Sequence, residues 1–543
     1  MCRSGSCTSC VEGRVRAVTR RKTSFVLANV SVPLCTIQRE EAGKDTGKGE
    51  NASSSRAGRG ARNGHLALDA DADVHPARPA SPGPPSSAKW DEGTVLVDIH
   101  VDDGRITAIS PTRTPSSSSQ RNQTTSWVRR LFSLLSSCSP RFLPAVVDCE
   151  EAFVLPTFVD LHTHIDKGHT AERSTNTLGS LSGADRSTAA DAAFWSAGDV
   201  EHRMEFSLKC AYAHGTSALR THLINMTPKH IELTWPAFAK VRDRWRGRVE
   251  VQGVALVALS FFRDEAASTR LADTVAAYGG LLGAAVCCAE EGGSKTDDWT
   301  TCDGDRDELL DRIFTLAKER DLDLDFHTDE NGNEAAKGLR YVAEKAIQHG
   351  YEGRVVCGHC CSLAYQLPRE LQKTLELARR ARITIVSLPL VNQWTQDRRY
   401  PERTTPLWRG VTRLHEARDA GVAVAIASDN TRDQFYAYGD LDMLEVFNQG
   451  CRMAHLDRPY GSWVNTVGAT PAAAMGLVDG MLRVGGKADF VVFPNARKYS
   501  ELLSRPQGDR VVVRGGRRIK DGSLPGYKEL DCVVRNDCPC RDD

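Results

Sequence analysis

Short runs of apolar residues alternate with amphipathic segments through the middle of the chain, residues 154–478. The runs are rich in β-branched residues and have the length of buried strands. The segments between them, such as DELLDRIFTLAKERD, NEAAKGLRYVAEKAIQHG and LPRELQKTLELARRA, carry apolar residues at helical spacing. Strands that alternate with helices favour a parallel sheet, and eight such units predict an α/β fold, the (β/α)8 TIM barrel. The eight predicted strands are FVDLHTH, TSALRTHL, VEVQGVALVAL, GGLLGAAVCC, LDLDFHTDE, GRVVCGHC, RITIVSLPL and GVAVAIASD.

A second pattern, in which apolar and polar residues alternate, flanks this barrel on both sides. Residues 23–153 contain TSFVLANVSVPLC, TVLVDIHVDDGRITAIS and AVVDCEEAFVLP, and residues 479–525 contain VGGKADFVVFP and DRVVVRGGRRI. Alternation with a period of two is typical of half-buried strands. We therefore predict one flanking β-sandwich domain built from both chain ends, with two unrelated β elements as the alternative.

Composition separates four further segments from these domains. Residues 40–90 and 111–127 are rich in Gly, Ser, Pro or Thr and contain few large apolar residues. Such segments bury too little apolar surface to offset the entropy of ordering, so we predict low-complexity insertions. Residues 1–22 carry arginines but no apolar signal core, which predicts a disordered or weak targeting segment. Residues 526–543 are predicted to be a tail.

The overall composition excludes several classes of partner. Lys plus Arg and Asp plus Glu both total 70, so the net charge gives no argument for nucleic acid or an anionic membrane. No apolar run approaches the length of a membrane span. The 17 cysteines, scattered over 543 residues, do not fit a small secreted disulfide scaffold. We predict a soluble cytoplasmic protein with no nucleic-acid or membrane partner. Organelle targeting and a homo-oligomer are left open.

Ligand-type side chains stand at the ends of four predicted strands. Strand one ends with His162 and His164, and residues two apart in a strand share a face. Strand five ends with His327, strand six with His359 and strand eight with Asp429. The C-terminal ends of all strands meet at one mouth of a parallel barrel. Taken singly, each residue is more often structural, but the set in this strand order predicts a site for Zn(II) or Fe(II).

These strand ends resemble those of the amidohydrolase superfamily, within its cytosine deaminase-like group. The resemblance is carried by LPTFVDLHTHIDK (155–167), RTH (220–222), HTDE (327–330), GH (358–359), SDN (428–430) and VGGKADFVV (484–492). It implies one divalent metal ion, because strand four (GAAVCC) lacks the bridging lysine of the family's two-metal members. Its ligands would be His162, His164, His327 and Asp429. The catalytic residues would be Glu330 as proton shuttle, His359 as polar partner of the water on the metal, and Asp429.

The resemblance also implies a reaction. A divalent ion lowers the pKa of a bound water, which becomes a nucleophile near neutral pH. Glu330 follows a metal ligand by three residues, close enough to protonate a ring nitrogen and then the leaving amine. We therefore expect a mononuclear metal-dependent hydrolase that deaminates a cyclic amidine or an aminated heterocycle and releases ammonia. The expected setting of this reaction is pyrimidine metabolism. The partner is a small nitrogen heterocycle.

Loop residues after strands one, seven and eight are the candidates for substrate binding. They are Lys167, Asn392, Trp394, Asn430 and Phe435. A surface salt bridge for Lys167, core packing for Phe435 and plain loop exposure for Asn392 and Trp394 are the alternatives. After strand three, LVALSFF lacks the glutamine with which cytosine deaminases contact the pyrimidine edge, so the sequence does not identify the heterocycle. His222 is expected near the site in a structural role.

Other interpretations of these motifs remain. Cys357, Cys360 and Cys361 around His359 have a spacing found in zinc ribbons, although they end an apolar strand, where cysteine is commonly a small buried residue. A second enzyme class is ring opening of a cyclic amide or release of an N-alkylamine. A non-catalytic scaffold of the same fold is a third, but a scaffold would not need Glu330, His359 and Asp429 together.

Overall fold

The computed structural model describes most of the chain outside the predicted insertions. Insertion 40–90 and all but the first two residues of insertion 111–127 lie outside the described residues. The described residues are 11–21, 24–37, 93–112, 144–286, 304–399, 401–402, 404–459, 461–478, 480–519 and 523–535.

Strands from both ends of the chain form one mixed sheet of eight strands. The N-terminal strands are β1 Ser24–Pro33, β2 Thr94–Asp102, β3 Arg105–Pro111, β4 Ala145–Asp148 and β5 Phe153–Pro156. The C-terminal strands, numbered after the eight central ones, are β14 Phe490–Phe493, β15 Val511–Arg514 and β16 Arg517–Arg518. Their order is β16-β15-β14-β5-β1-β2-β3, with β4 beside β1. Because β14 pairs antiparallel with β5, the two chain ends meet directly in the sheet.

The eight central strands coincide with the eight apolar runs. They are β6 Phe158–Thr163, β7 Thr216–Ile224, β8 Glu250–Leu256, β9 Leu282–Val286, β10 Leu324–Thr328, β11 Val355–His359, β12 Thr384–Ser387 and β13 Ala423–Ile426. Strands β6–β8 form one parallel sheet and β9–β13 another. Every residue of β7, β10 and β11 is buried, as expected for strands covered on both faces. The centre is therefore the predicted α/β fold, TIM-barrel-like with parallel strands.

Helices connect these strands where the sequence has amphipathic segments. Their bounds are α1 Val11–Arg21, α2 Leu181–Asp191, α3 Ala197–His214, α4 Pro228–Trp245, α5 Glu265–Ala277, α6 Arg306–Glu319, α7 Gly338–Gln348, α8 Pro368–Arg380, α9 Pro389–Thr395, α10 Leu414–Asp419, α11 Met443–Ala454, α12 Ala469–Ala474, α13 Tyr499–Leu503 and α14 Asp531–Arg535. Helix α8 is an example of an amphipathic helix, because Leu371, Leu375 and Ala378 lie on its one buried face. Within the described ranges no helix is both long and apolar enough to cross a membrane.

Helix α7 begins at Gly338, five residues later than the apolar pattern suggests. The backbone N–H groups of Gly338 and Leu339 donate to the carboxylate of Asp329, at 2.9 and 3.1 Å. That carboxylate satisfies two N–H groups that have no partner inside the helix. Since Asp329 directly follows β10, the start of α7 is tied to the strand that carries His327.

The ends of the chain depart from the predicted boundaries. Residues 11–21 form helix α1, so the disordered interpretation of segment 1–22 is wrong for this part, and weak targeting stays a prediction. Val15 of α1 is fully buried in the core of the mixed sheet, so the helix has an apolar contact with that core. The arginine-rich composition of the segment did not predict this contact. The predicted barrel boundary at residue 154 falls inside β5, which belongs to the mixed sheet. In the predicted tail, Leu530 and Val533 are buried against α3.

Candidate metal centre and active site

The four predicted metal ligands converge at the C-terminal ends of the parallel strands. His162 lies in β6, and His164 follows the last residue of that strand. His327 lies in β10, and Asp429 follows β13 by three residues. Every one of these side chains is buried. In a parallel barrel, enzymes carry their active sites at the corresponding end of the strands.

The ligand atoms lie within a few ångströms of one another. The Nε2 atom of His327 is 3.2 Å from Nε2 of His162 and 3.1 Å from Nε2 of His164. Asp429 Oδ1 is 3.2 Å from Nε2 of His164 and 3.6 Å from Nε2 of His162. Such separations are close to those between ligands that share one ion at bond lengths of about 2.0–2.2 Å.

The chemistry of this donor set fits a divalent cation. Both carboxylate oxygens of Asp429 are buried and accept no hydrogen bond from the protein. Burial, followed by repulsion from neighbouring histidines, lowers the pKa of His162 well below its ordinary value, so the ring is neutral and its lone pair is available. Burial raises the pKa of Asp429, which a cation in contact with it would reverse. Converging lone pairs without a donor between them are stabilised by a metal ion.

Backbone contacts hold Asp429 against the first strand. Its N–H donates to the carbonyl oxygen of His162 at 2.9 Å, and its own carbonyl accepts from the N–H of His164 at 3.0 Å. Asp429 and His359 both have φ near +65°, a left-handed conformation that is unfavourable for residues other than glycine. The surrounding structure therefore fixes two site residues in a conformation that they would not adopt alone.

Asn392 joins the two predicted proton-transfer residues. Its Nδ2 atom donates to Glu330 Oε1 at 3.2 Å and lies 3.0 Å from His359 Nδ1. A carboxylate only accepts, so the amide nitrogen must face Glu330 and also donates to His359 Nδ1. The proton of the neutral His359 ring is then on Nε2. Burial lowers the pKa of His359 to about 3, which keeps the ring neutral.

A cavity of about 690 Å³ opens onto three of the four predicted metal ligands, His164, His327 and Asp429. Three of the five predicted substrate-binding residues, Lys167, Asn430 and Phe435, line it. Asn392 is not among the described lining residues but contacts Glu330 and His359, which line the cavity, so its direct contact with substrate stays a prediction. Trp394 instead packs edge-on against Tyr438, with ring centroids 5.2 Å apart. It too is missing from the described lining of the cavity.

Sequence reasoning missed the outer wall of the cavity. Helix α2 and the start of α4 contribute Leu181, Asp185, Arg186, Thr188, Lys229 and His230. Helix α2 has the sequence LSGADRSTAAD, without a stripe of large apolar residues, so its pattern did not predict that it lines the cavity. Its position above the site follows from its place directly after the first strand's loop, a region where barrel enzymes often carry their substrate contacts.

His222 lies beside the ligand cluster, as expected for a structural residue near the site. Its ring centroid is 4.0 Å from that of His162, and its Nε2 atom is 3.2 Å from Asp325 Oδ1. Asp325 also accepts from Arg220 at 2.7 Å. His222 is close enough to His162, His164 and His327 to count as a further candidate ligand.

The cysteines around His359 do not form a metal site among the described residues. Cys357, Cys360 and Cys361 are buried and form no disulfide bond among the described residues. Burial raises the pKa of the Cys357 thiol, which makes the thiolate form needed for zinc binding unfavourable. In the part of the chain that the structure describes, the candidate metal-binding groups contain histidine and aspartate only.

Comparison with known proteins shows that the chain is similar to hydrolases that act on C–N bonds. The chain is 46% identical over 392 residues to a pterin deaminase from Rhizobium rhizogenes, and the alignment covers 72% of this chain and 85% of that protein. It is 24% identical over 384 residues to an N-isopropylammelide isopropyl amidohydrolase from a Pseudomonas species, covering 69% and 88%. Among solved structures, 5-methylcytosine deaminase from Klebsiella pneumoniae superposes with a TM-score of 0.63 at 20% identity, over 78% of this chain and 94% of that one. The last likeness shows the fold alone.

A family model identifies the chain independently of any single relative. The model described as the amidohydrolase family matches residues 232–522, a stretch that includes His327, Glu330, His359 and Asp429. The match and the 46% identical relative confirm the predicted membership and the predicted enzyme class, a hydrolase acting on C–N bonds. The chain belongs to the amidohydrolase family.

Proposed function

We propose that this protein hydrolytically deaminates a pterin, a 2-amino-4-oxopteridine, or a closely similar heterocycle. The observation that carries the proposal is the 46% identity over 72% of the chain to a pterin deaminase. The cavity of about 690 Å³ at the His and Asp cluster supports it, because it gives a flat bicyclic ring access to the ligand side chains. Water adds to the ring carbon that bears the amine, the C–N bond breaks, and ammonia leaves with an oxo group in its place.

The proposed centre holds one divalent ion, either Zn(II) or Fe(II), on His162, His164, His327 and Asp429. Three imidazole nitrogens and one carboxylate suit both metals. The bound ion would supply an activated water and withdraw electron density from the substrate. The predicted ligand set is supported by the distances between these atoms and by the carboxylate of Asp429 that lacks a donor.

The protein's own side chains would move the protons. The second oxygen of Asp429 can accept a proton from the attacking water. The Nε2–H of His359, whose orientation is set by Asn392, can donate a hydrogen bond to the oxygen that attacks. Glu330 can deliver protons to a ring nitrogen and then to the departing amine, because it lines the cavity beside His327 and His359.

Release of an alkylamine is the second candidate function. The 24% identity to the isopropyl amidohydrolase over 69% of the chain favours it. Both reactions need the same attack on an amidine-like carbon and differ in the leaving amine. Incubation of the metal-loaded protein with pterin and, separately, with N-isopropylammelide distinguishes them. Ammonia and the 2,4-dioxo product from pterin support the proposal, whereas isopropylamine release without action on pterin contradicts it.

We also propose the finer architecture predicted from the sequence. Closure of the eight parallel strands into a barrel is supported by isolated parallel bridges that join Val254 to Leu281 and Thr163 to Asp429, at the edges of the two sheets. A sandwich form of the mixed sheet is supported by its separate buried core, which includes residues from α1 and from both chain ends. The domain division, the cytoplasmic location and a homo-oligomer stay predictions.

A further inference from the structure

One carboxylate organises two polar side chains in the wall of the cavity. Asp433 Oδ2 accepts from the Nζ atom of Lys167 at 3.2 Å and from the Nδ2 atom of Asn430 at 2.7 Å. The side chain of Asp433 is fully buried, and that of Lys167 is 3% exposed. Lys167 and Asn430 line the cavity. Two side chains that contact the same oxygen are neighbours, so they face the substrate space as a pair.

The carboxylate is itself held in one orientation. Its other oxygen, Oδ1, accepts from the backbone N–H groups of Phe435 at 2.9 Å and Tyr436 at 3.1 Å. The Nζ atom of Lys167 also lies 3.8 Å from the centre of the Phe435 ring, where the ring's negative face attracts a cation. Rotation of any one of these groups would break several contacts at once. The pair is therefore positioned before a substrate arrives.

Hydrogen-bond direction assigns opposite roles to the two members of the pair. An ammonium group only donates, and one of its three hydrogens is directed at Asp433. Asn430 directs its amide nitrogen at the same carboxylate, because a carboxylate only accepts. Its Oδ1 atom is consequently turned away from Asp433. Lys167 thus offers a donor, and Asn430 offers an acceptor.

We propose that Lys167 and Asn430 together recognise a lactam edge of the substrate, an adjacent ring C=O and N–H. Lys167 donates to the carbonyl oxygen, Asn430 Oδ1 accepts from the ring N–H, and Asp433 is the positioning residue for both. The inference rests on the proposed function and narrows its substrate class to heterocycles with an oxo group and a protonated ring nitrogen beside the aminated carbon. The pair would take over the role of the glutamine with which cytosine deaminases contact the pyrimidine edge, since this chain has no glutamine in the segment after strand three.

Pterin and its diamino analogue present opposite patterns to this pair. Pterin has an acceptor at O4 and a donor at N3–H. In neutral 2,4-diaminopteridine the 4-amino group is a donor and N3 is an acceptor, so donor meets donor and acceptor meets acceptor. A buried polar group left without its partner typically weakens binding about 10- to 100-fold. The site should therefore reject the diamino ring although it has the same shape.

Equilibrium binding tests the inference without depending on turnover. Metal-loaded Glu330→Gln protein is titrated with pterin, 3-methylpterin and 2,4-diaminopteridine, and binding is followed by ring fluorescence. We expect pterin to bind at least about 10-fold more tightly than either analogue, since each analogue mispairs at least one member of the pair. Equal affinity for the three rings, or no binding of pterin, overturns the inference.

Substitutions then assign the effect to the pair. In the same background, Lys167→Met should reduce the preference for the oxo over the amino ring to within about 3-fold, whereas Lys167→Arg should retain part of it. The matched control is Lys373→Met, an exposed lysine of α8. Asp433→Asn should lower the preference as much as Lys167→Met, and the double variant should add little, because Asp433 acts through Lys167.

The outcomes separate this inference from the proposed function. A preference that survives Lys167→Met overturns the inference, as does an Asp433→Asn variant that loses only melting temperature. Ammonia release from pterin by the wild-type protein is measured in parallel. If no ammonia appears while the binding preference and its loss on substitution are observed, the proposed function fails and the edge recognition stands.

Discussion

At the scale of single residues, the direction of its hydrogen bonds determines the role of Asn392 in the site. Asn392 was expected to touch substrate, yet it contacts Glu330 and His359. Its amide nitrogen must face a carboxylate, and this fixes which nitrogen of His359 carries the proton. Asn392 lies in the short helix α9 after strand β12, and an asparagine there gives no sequence pattern for such a role. The role follows only from the direction of the side chain.

Replacement of Glu330 by glutamine tests its assignment as the proton shuttle. Glutamine keeps the size and hydrogen-bonding capacity of the side chain but cannot carry a proton. A positioned general acid–base contributes about 10²–10⁴-fold, so kcat should fall at least about 100-fold. Metal content and substrate affinity should stay nearly constant, because neither requires the carboxylate to titrate. Steady-state kinetics with elemental analysis measures both.

His327→Ala is the matched comparison, since it removes a ligand from the same segment. This variant should lose bound metal together with turnover. The assignment of Glu330 would be wrong if Glu330→Gln emptied the metal site while turnover per bound ion was preserved, because Glu330 would then be a ligand.

Replacement of Asn392 by alanine should separate positioning from binding. Without the amide donor, His359 can adopt either neutral tautomer and Glu330 loses a fixed orientation. We expect kcat to fall about 10- to 100-fold, as for loss of a hydrogen bond to a charged or catalytic group, with little change in KM. Asn495→Ala, at an exposed position that pairs with Asp509, is the control. A raised KM with unchanged kcat would instead place Asn392 in contact with substrate.

At the scale of elements, the sequence predicted the central strands, but it did not predict the helix that forms a wall of the cavity or the residue at which α7 begins. The central strands were found because their apolar runs are short, β-branched and bounded by polar residues, as in β12 and β13. Helix α2 was not anticipated as a wall of the cavity, because small and polar residues give it no apolar stripe. The tie between Asp329 and the start of α7 depends on a contact that spacing alone does not reveal.

Helix α1 offers a test of an element that composition failed to predict. Val15→Asp places a charge in a fully buried position, whereas Ala17→Asp changes an exposed position of the same helix. Burial of an unpaired charge is strongly unfavourable, so the first variant should release α1 from the sheet. Trypsin should then cleave at Arg14 or Arg20 much faster in Val15→Asp than in Ala17→Asp. Equal cleavage rates would contradict the packing of α1.

At the scale of the whole molecule, the proposed metal centre and the flanking sheet depend on different parts of the chain. The proposed ligands come from the end of β6, from β10 and from the segment after β13, which lie far apart in sequence and meet at one end of the parallel strands. The mixed sheet joins β5 to β14 and has its own core. The sequence predicted the sheet from its alternating pattern, and it predicted that the proposed ligands meet because they stand at strand ends. It could not predict the cavity, which depends on how loops pack.

Removal of the metal should therefore abolish turnover and leave the fold in place. The ion would lie at the strand ends, outside the apolar cores, so chelation removes four ligand contacts and no packed apolar surface. Elemental analysis should find about one ion per chain before treatment. Circular dichroism after dialysis against a chelator should retain its native form, and Zn(II) or Fe(II) should restore activity. Two tightly held ions per chain would contradict a single-metal centre.

The excursion between β1 and β2 gives a prediction for the molecule as a whole. Deletion of residues 45–88 should leave melting temperature and kcat nearly unchanged, because this segment has few large apolar residues with which to stabilise a packed structure. The strands on either side are already paired, with Pro33 opposite Thr94 and the N–H of Leu34 donating to the carbonyl of Gly93 at 2.8 Å. Residues 38–44 and 89–92 remain to connect them, and a shorter loop costs slightly less entropy to close. Deletion of β2 itself, as the contrasting variant, should unfold the mixed sheet. A melting temperature that falls as far in the first deletion as in the second would show that residues 45–88 pack on the rest of the protein.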